Sequence, residues 1–359
     1  MTAPRRRPAR PVRPKFQLEP AGWLPATRRR LEALIRSGAG RGLPVAFDFD
    51  NTLVCGDIGE ATLAELTRAR LIRADTVPAV LTPEFRNVAG QRVSPRSVAD
   101  LTAYYEAYLT PTHHGEADAT PLANGYIWAV EAMEGLPLGE LVEATARVYG
   151  RSRLGHVEFV EPTPGRTSYP IPFFYPEMVD LLATLIRAKF TVWIVTASNV
   201  WSVRWMVLNA LNPLLRHRGV RALLPPAQVL GVATLLRDGE ERLHKDAVLV
   251  REDRDYARLD PAALGRYTLT SRLQFPVTTY SGKVAALWDV LGGRPYLAAG
   301  DSPGDLAMLG FAEHRLWIAR PEKTAYQKAA RRMMRRFESG SWLQQPTRTR
   351  EGAGFQRSW

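Results

Sequence analysis

Two aspartates one residue apart, Asp48 and Asp50 in the run Val45–Leu53 (VAFDFDNTL), are the side chains of this chain best placed for chemistry. Val45, Ala46 and Phe47 read as a short buried strand behind the turn signal of Gly42–Pro44. Asp48, Asp50 and Thr52 then fall where a strand of an α/β sheet opens into its crevice. Carboxylates that close repel each other and stay ionised together only beside a cation or a dense set of donors. Taken alone, Asp-x-Asp-x-Thr is also compatible with a plain capped strand-to-helix turn. Three distant segments weigh against that reading. Val192–Ser198 (VWIVTAS) is an apolar strand ending in the hydroxyl of Thr196 and small residues. Lys283, in Tyr280–Val284 (YSGKV), opens an expected helix over Val284–Val290. Tyr296–Asp305 (YLAAGDSPGD) is a strand, a tight turn and two acids, Asp301 and Asp305.

A phosphoryl group in transfer spreads negative charge over its oxygens and needs a nucleophile, a cation, fixed donors and a proton source. Asp48 is a candidate nucleophile, since carboxylates form acyl phosphates. Asp50 can protonate a leaving oxygen and later take a proton from water. Mg2+ favours one or two carboxylates with further oxygens, for which Asp48, Asp301 and the backbone oxygen of Asp50 are candidates. Thr196 and Lys283 offer a hydroxyl and a compact positive charge to phosphate oxygens. The lysine is one of only six among 48 basic residues, so a lysine at a helix start carries information here. Asp305 reads as a partner orienting Lys283 or a water, or more plainly as a first-turn acid favoured by the helix dipole.

In this order, with three of the four on strand ends, the segments resemble the four motifs of the haloacid dehalogenase-like superfamily, over about residues 42–57 and 170–320. The resemblance implies a Rossmann-like α/β core with a parallel sheet and an inserted, mainly helical cap. It implies that Asp48 attacks phosphorus and Asp50 acts as acid and base. It further implies that Asp48, the Asp50 carbonyl and Asp301 hold Mg2+, while Thr196 and Lys283 bind the phosphoryl group. Dehalogenases of that superfamily need neither the second aspartate nor the metal, so Asp50 points to phosphomonoester hydrolysis.

The elements that must position these groups follow an interrupted βα pattern. About 140 residues separate the strands at 45 and 192, and Ile58–Ile72, Val98–Leu109, Gly125–Met133 and Leu138–Val148 read as helices between them. Core segments are expected over 21–57 and 170–340, a helical cap over 58–169, a disordered basic arm over 1–20 and a tail without regular structure over 341–359. A helix within 21–37 is expected to pack ahead of the first strand, and Pro176–Lys189 to form the helix before the second. Val229–Leu236 and Leu243–Val250 read as a hairpin turning at Asp238-Gly239.

The formal charge is +12, yet it sits at the ends: eleven Arg and Lys against two acids in 1–41, and ten against three in 320–359. The body between them is slightly acidic, so the basic arm reads as a solvated segment and a nucleic-acid partner is not expected. A single cysteine, Cys55, excludes an intramolecular disulfide framework and a Cys-rich zinc site. No window approaches a membrane span, and no apolar leader is evident, so a cytoplasmic protein acting on a small phosphorylated metabolite is expected. No pattern in the sequence speaks to oligomeric state.

Asp57 and Glu60, three residues apart, can share a helix face or form an N-terminal capping pattern, and both uses stay open. Between Tyr104 and Tyr175 the chain is rich in aromatics that could join these acids in a cage for an organic cation. The string from Asp48 to Glu60 is similar to that of bacterial phosphorylcholine phosphatases of the same superfamily, which implies Glu60 as the cation partner. Phosphoserine is the rival substrate; it needs an acid at Asp57 for its amine and an arginine for its carboxylate, with Arg86, Arg92 and Arg96 as candidates. A rival of another class is a non-catalytic protein that uses its basic ends for binding.

Overall fold

The computed structural model describes residues 16–19, 22–87, 89–113, 124–338 and 341–359. Its centre is a seven-stranded sheet. In chain order the strands are β1 (Pro44–Phe47), β2 (Thr191–Asn199), β3 (Val229–Val232), β4 (Leu297–Gly300), β5 (His314–Ala319), β6 (Trp342–Arg348) and β7 (Gly354–Phe355). Their spatial order is β7-β6-β5-β4-β1-β2-β3, with every pairing parallel except β6 with β7. β1 is fully buried from Val45 to Phe47, as a strand covered on both faces must be. It lies between β4 and β2, in register Val45↔Leu297 and Val45↔Val192, so the C-terminal ends of all three open on one edge. That edge is where open parallel sheets bind ligands.

Helices α1 (Pro25–Gly38), α6 (Pro176–Arg187), α7 (Val200–Met206), α8 (Gly282–Leu291), α9 (Leu306–Phe311) and α10 (Thr324–Met334) accompany the sheet. Between β1 and β2 the chain inserts α2 (Ile58–Arg68), α3 (Leu101–His113), α4 (Gly125–Glu131) and α5 (Leu138–Gly150). Tyr104, Tyr105 and Trp128 form the buried aromatic centre of that insertion. It is tied to the core by a chain of buried hydroxyls, Thr62 to Thr145 at 3.3 Å and Thr145 to Ser202 of α7 at 2.7 Å. Backbone bonds exchanged between Gly135, Leu136 and Leu269 hold its other side. Among the described residues no helix is long and apolar enough to cross a membrane.

Three local expectations are corrected. The segment 341–359 is structured: β6 pairs with β5 from Arg315↔Trp342 to Ala319↔Pro346, and Trp342, Leu343, Gln345 and Thr347 are buried. The arm expected over 1–20 ends earlier, because Leu18 is buried and Glu19 N donates to Asp180 Oδ2 at 2.7 Å; residues 1–15 lie outside the described part. The expected hairpin is split. Val229–Val232 joins the central sheet, Thr234–Asp238 pairs with Leu243–His244 and Tyr267–Leu273, and Asp246–Glu252 is helical. Asp246 is drawn inward there because both its oxygens accept from the buried Arg204, at 2.8 and 2.7 Å.

Because β6 buries two large apolar side chains and Gln345 spans to Leu24, Gly22 and Gln356, the last strands are integral to the sheet. Ending the chain at Glu338 is expected to abolish the cooperative thermal transition followed by circular dichroism. A truncated protein melting within a few degrees of the full chain would contradict this.

Candidate active site

β1 ends at Phe47, and Asp48 N donates to Ala299 O at 2.9 Å, which extends the strand pairing by one residue and fixes Asp48 over the sheet edge. The chain then turns back on itself. Asn51 takes a left-handed φ of 56°, a conformation asparagine tolerates, and its Oδ1 accepts from Gly56 N at 3.3 Å. Thr196 and Ser198 lie in the second half of β2, Asp301 directly follows β4, and Lys283 is in the first turn of α8. All of these groups therefore meet at one edge, supplied by separate strands and one helix.

Lys283, 2 % exposed, places Nζ 2.6 Å from Asp48 Oδ1 and 2.6 Å from Asp305 Oδ1. The second Asp305 oxygen accepts from Asp301 N at 3.1 Å, Ser302 N at 3.0 Å and Ser302 Oγ at 3.0 Å. Both oxygens of Asp305 are thus committed to orienting the lysine and the turn after β4. The turn requires glycine at 300, since a Cβ there would fall 2.4 Å from Asp305 Cβ.

Asp50 is held from both sides. Ile58 N donates to Oδ1 at 2.7 Å, and Ser198 Oγ and Thr196 Oγ1 donate to Oδ2 at 2.7 and 3.3 Å. Asp301 Oδ2 lies 2.5 Å from Arg320 Nη2, and its Oδ1 accepts from Thr52 Oγ1 at 3.4 Å. Asp57 is the N-cap of α2, its Oδ1 accepting from Glu60 N at 2.8 Å. The Glu60 side chain turns away from that cap and accepts from Tyr105 OH at 3.1 Å.

Burial governs the protonation of this cluster. It raises Asp48 to about 7, reinforced by Asp305 and opposed by Lys283. Asp301 is also raised to about 7 by burial, against the pull of Arg320. Burial holds Asp50 well above the ordinary carboxylate range, with the charge of Asp57 adding to it. Asp57 is likewise well above, by burial and then Glu60, and burial lifts Glu60 to about 7 against its bond from Tyr105. Lys283 is also raised, and with the opposite consequence for charge: burial opposes its ammonium, but Asp305 and Asp48 outweigh it, so it stays protonated.

Carboxylate oxygens of Asp48, Asp301 and Asp305 come within 4.8 Å of one another, all buried. With Asp305 committed to Lys283 and to backbone donors, Asp48 and Asp301 remain to take a cation. An all-oxygen donor set of this charge suits a hard divalent ion. The core groups line a cavity of about 40 Å³ that includes Asp48, Asp50, Thr196, Lys283, Asp301 and Arg320. A second cavity of about 20 Å³ is lined by Glu60, Tyr105, Tyr126, Leu63, Val130 and Met133. The two share Asp57, Tyr126, Ala197 and Ser198 as walls, so they read as compartments of one chamber.

No protein-family model matches the chain. It is 27% identical over 320 residues, 84% of this chain and 81% of the other, to a phosphorylcholine phosphatase of Pseudomonas aeruginosa. The chain is a phosphatase similar to those of the haloacid dehalogenase-like superfamily. Its fold is shared with a protein of unknown function from Anaerococcus prevotii, at a TM-score of 0.62 and 17% identity over 96% of this chain and 98% of that one. A substrate-bound phosphoserine phosphatase aligns at a TM-score of 0.40 and 12% identity, over 82% and 98%.

Sequence reasoning gave Ser198 and Arg320 of this phosphatase no role, and held Tyr126 only as one of many aromatics for a cation cage, although all three line the chamber. Ser198 ends the quoted Val192–Ser198 strand, so its alternation with Thr196 was the available signal. Arg320 is one arginine in a chain full of them and carries no local signature. Arg86, Arg92 and Arg96 are exposed and line neither compartment; Arg86 donates to Gly90 O and Arg92 pairs with Glu84.

Removing the Asp305 carboxylate leaves Lys283 with one partner and strips the acceptor from three donors. Asp305→Ala is therefore expected to lower stability by about 3–5 kcal/mol in urea unfolding, the cost of breaking a buried ion pair. A loss below about 1 kcal/mol, the scale of a surface pair, would contradict this.

Proposed function

We propose that this phosphatase hydrolyses phosphomonoesters of small cationic or zwitterionic alcohols, of the phosphocholine type, with Mg2+ and through an acyl phosphate of Asp48. The observation that carries the reading is the pair of adjoining cavities: the one at Asp48 shares four wall residues with one lined by Glu60, Tyr105 and Tyr126. An acid among aromatic rings and aliphatic walls suits an organic cation. We also propose that residues 58–169 act as the cap that carries this specificity over a core of 21–57 and 170–340.

In this reading Asp48, the Asp50 carbonyl and Asp301 hold Mg2+, which offsets the charge of the phosphoryl oxygens and of the crowded acids. Lys283 and the Thr196 hydroxyl take phosphoryl oxygens. The free Asp48 oxygen attacks phosphorus, a bond forms between them, and the P–O bond to the alcohol breaks. Asp50, kept protonated by burial, gives its proton to the leaving alkoxide. The same carboxylate then takes a proton from water as the water oxygen attacks phosphorus. Cleavage of the P–O bond to Asp48 releases phosphate and restores the acid. Fixed donors from Ser198 and Ile58 keep Asp50 on this line.

Phosphoserine is a weaker fit. Among the described residues Arg320 is the only arginine lining the chamber, and it is already paired with Asp301. A purely binding role is weaker still, because it gives no reason to bury Asp48, Asp50, Lys283 and Asp301 together at an energetic cost.

Asp48→Asn is expected to abolish phosphate release from p-nitrophenyl phosphate with the circular dichroism spectrum unchanged, and EDTA to abolish it in the wild type. Wild-type turnover by the variant, or turnover undiminished by the chelator, would sink the covalent or the metal part of the reading respectively. Phosphocholine and phosphoethanolamine are expected to outrank phosphoserine and a sugar phosphate in kcat/KM. Glu60→Gln should raise KM for phosphocholine about tenfold or more, within the range for a desolvated cation contact, and leave p-nitrophenyl phosphate nearly unchanged. Equal effects on the two substrates would assign Glu60 a structural role instead.

A further inference from the structure

We propose, building on the metal-dependent reading above, that Arg320 is the positioning residue that sets Asp301 as a metal ligand. The site thus extends to a fourth parallel strand end, β5. β5 lies beside β4 in the register Gly300↔Trp317, and Arg320 is the first residue beyond it, as Asp301 is the first beyond β4. The guanidinium crosses between the two strand ends to put Nη2 2.5 Å from Asp301 Oδ2. Thr52 Oγ1, from the loop after β1, donates to the other oxygen at 3.4 Å. The Arg320 contact is an ion pair without hydrogen-bond geometry, and with the Thr52 hydroxyl on the other oxygen it biases the orientation in which the carboxylate faces a cation beside Asp48.

The arginine is itself fixed. It is 8 % exposed, and its guanidinium carbon sits 5.2 Å from the centre of the Tyr326 ring of α10. Its backbone oxygen accepts from Gln327 Nε2 at 3.0 Å, and Gln327 Oε1 accepts from Trp317 Nε1 of β5 at 3.1 Å. Its Nε is buried without a hydrogen-bond partner, so the guanidinium's hold on the site rests on its charge and on the Nη2 contact. These contacts make the guanidinium a fixed wall of the site, not an arm that yields its place when a cation arrives. Groups that orient a metal-ligating side chain in this way contribute about 10–100-fold to metal affinity. A lysine keeps the charge but not the planar fork that spans from Tyr326 to Asp301.

The test is Mn2+ affinity, read from the electron paramagnetic resonance signal of the free ion, for the full chain, Arg320→Met, Arg320→Lys and Asp301→Asn. The wild type should show one saturable site, lost in Asp301→Asn. Arg320→Met should bind about tenfold or more weakly and Arg320→Lys also measurably more weakly, with circular dichroism spectra unchanged. If Arg320→Met fails to fold, Arg320→Lys alone decides. Affinity equal to or tighter than wild type in the folded arginine variant would overturn the role of Arg320. Absence of any saturable site in the wild type would instead overturn the metal-dependent reading on which it rests.

Discussion

Placing several carboxylates together out of water is the constraint around which this molecule is arranged. Asp48, Asp50, Asp57, Glu60 and Asp301 are each pushed upward by burial. Among the described residues only two cations, Lys283 and Arg320, stand among them in the chamber walls. Each cation serves a different acid: the lysine joins Asp48 to Asp305, and the arginine meets Asp301. Such an arrangement is weak evidence for stability, since buried ion pairs seldom repay their desolvation. Carboxylates raised together in one cavity are instead the pattern that points to a functional site. The parallel sheet makes it possible, because β1, β2, β4 and β5 all deliver their ends to one edge.

The helical insertion covers that edge and supplies walls to the two cavities. Asp57 links the two, capping α2 while forming a wall of both compartments. Close packing sets the distance between them, since a Cβ at Gly59 would fall 2.4 Å from Ser198 Oγ. Asn124 Nδ2, at the start of α4, donates to Thr279 Oγ1 at 3.3 Å, beside the loop that leads into Lys283. The insertion and the loop before Lys283 are thus fastened directly to each other.

The core motifs were legible because each is local: an apolar strand, then an acid or hydroxyl at its end, with a glycine where the backbone must pass close. Arg320 was illegible for the opposite reason, as its meaning comes from a neighbour nineteen positions earlier in sequence and one strand away in space. The last strand escaped notice because Gln344, Gln345 and Pro346 interrupt any apolar alternation, although Gln345 is wholly buried and bonded to three backbone oxygens. In 229–250 the continuous apolar run concealed a change of sheet near Ala233, and the buried Arg204–Asp246 pair favoured helix over strand for the second half. Long-range pairing decided each of these cases, and periodicity does not report it.

The central claim is that Asp48 carries the phosphoryl group during turnover. Quenching the enzyme in acid during steady turnover of p-nitrophenyl phosphate, reducing it with borohydride and sequencing the peptides by mass spectrometry tests this directly. The account predicts homoserine at position 48, the reduction product of an aspartyl phosphate, absent from protein quenched without substrate. Turnover with no modified aspartate, or with the modification on another residue, would contradict it.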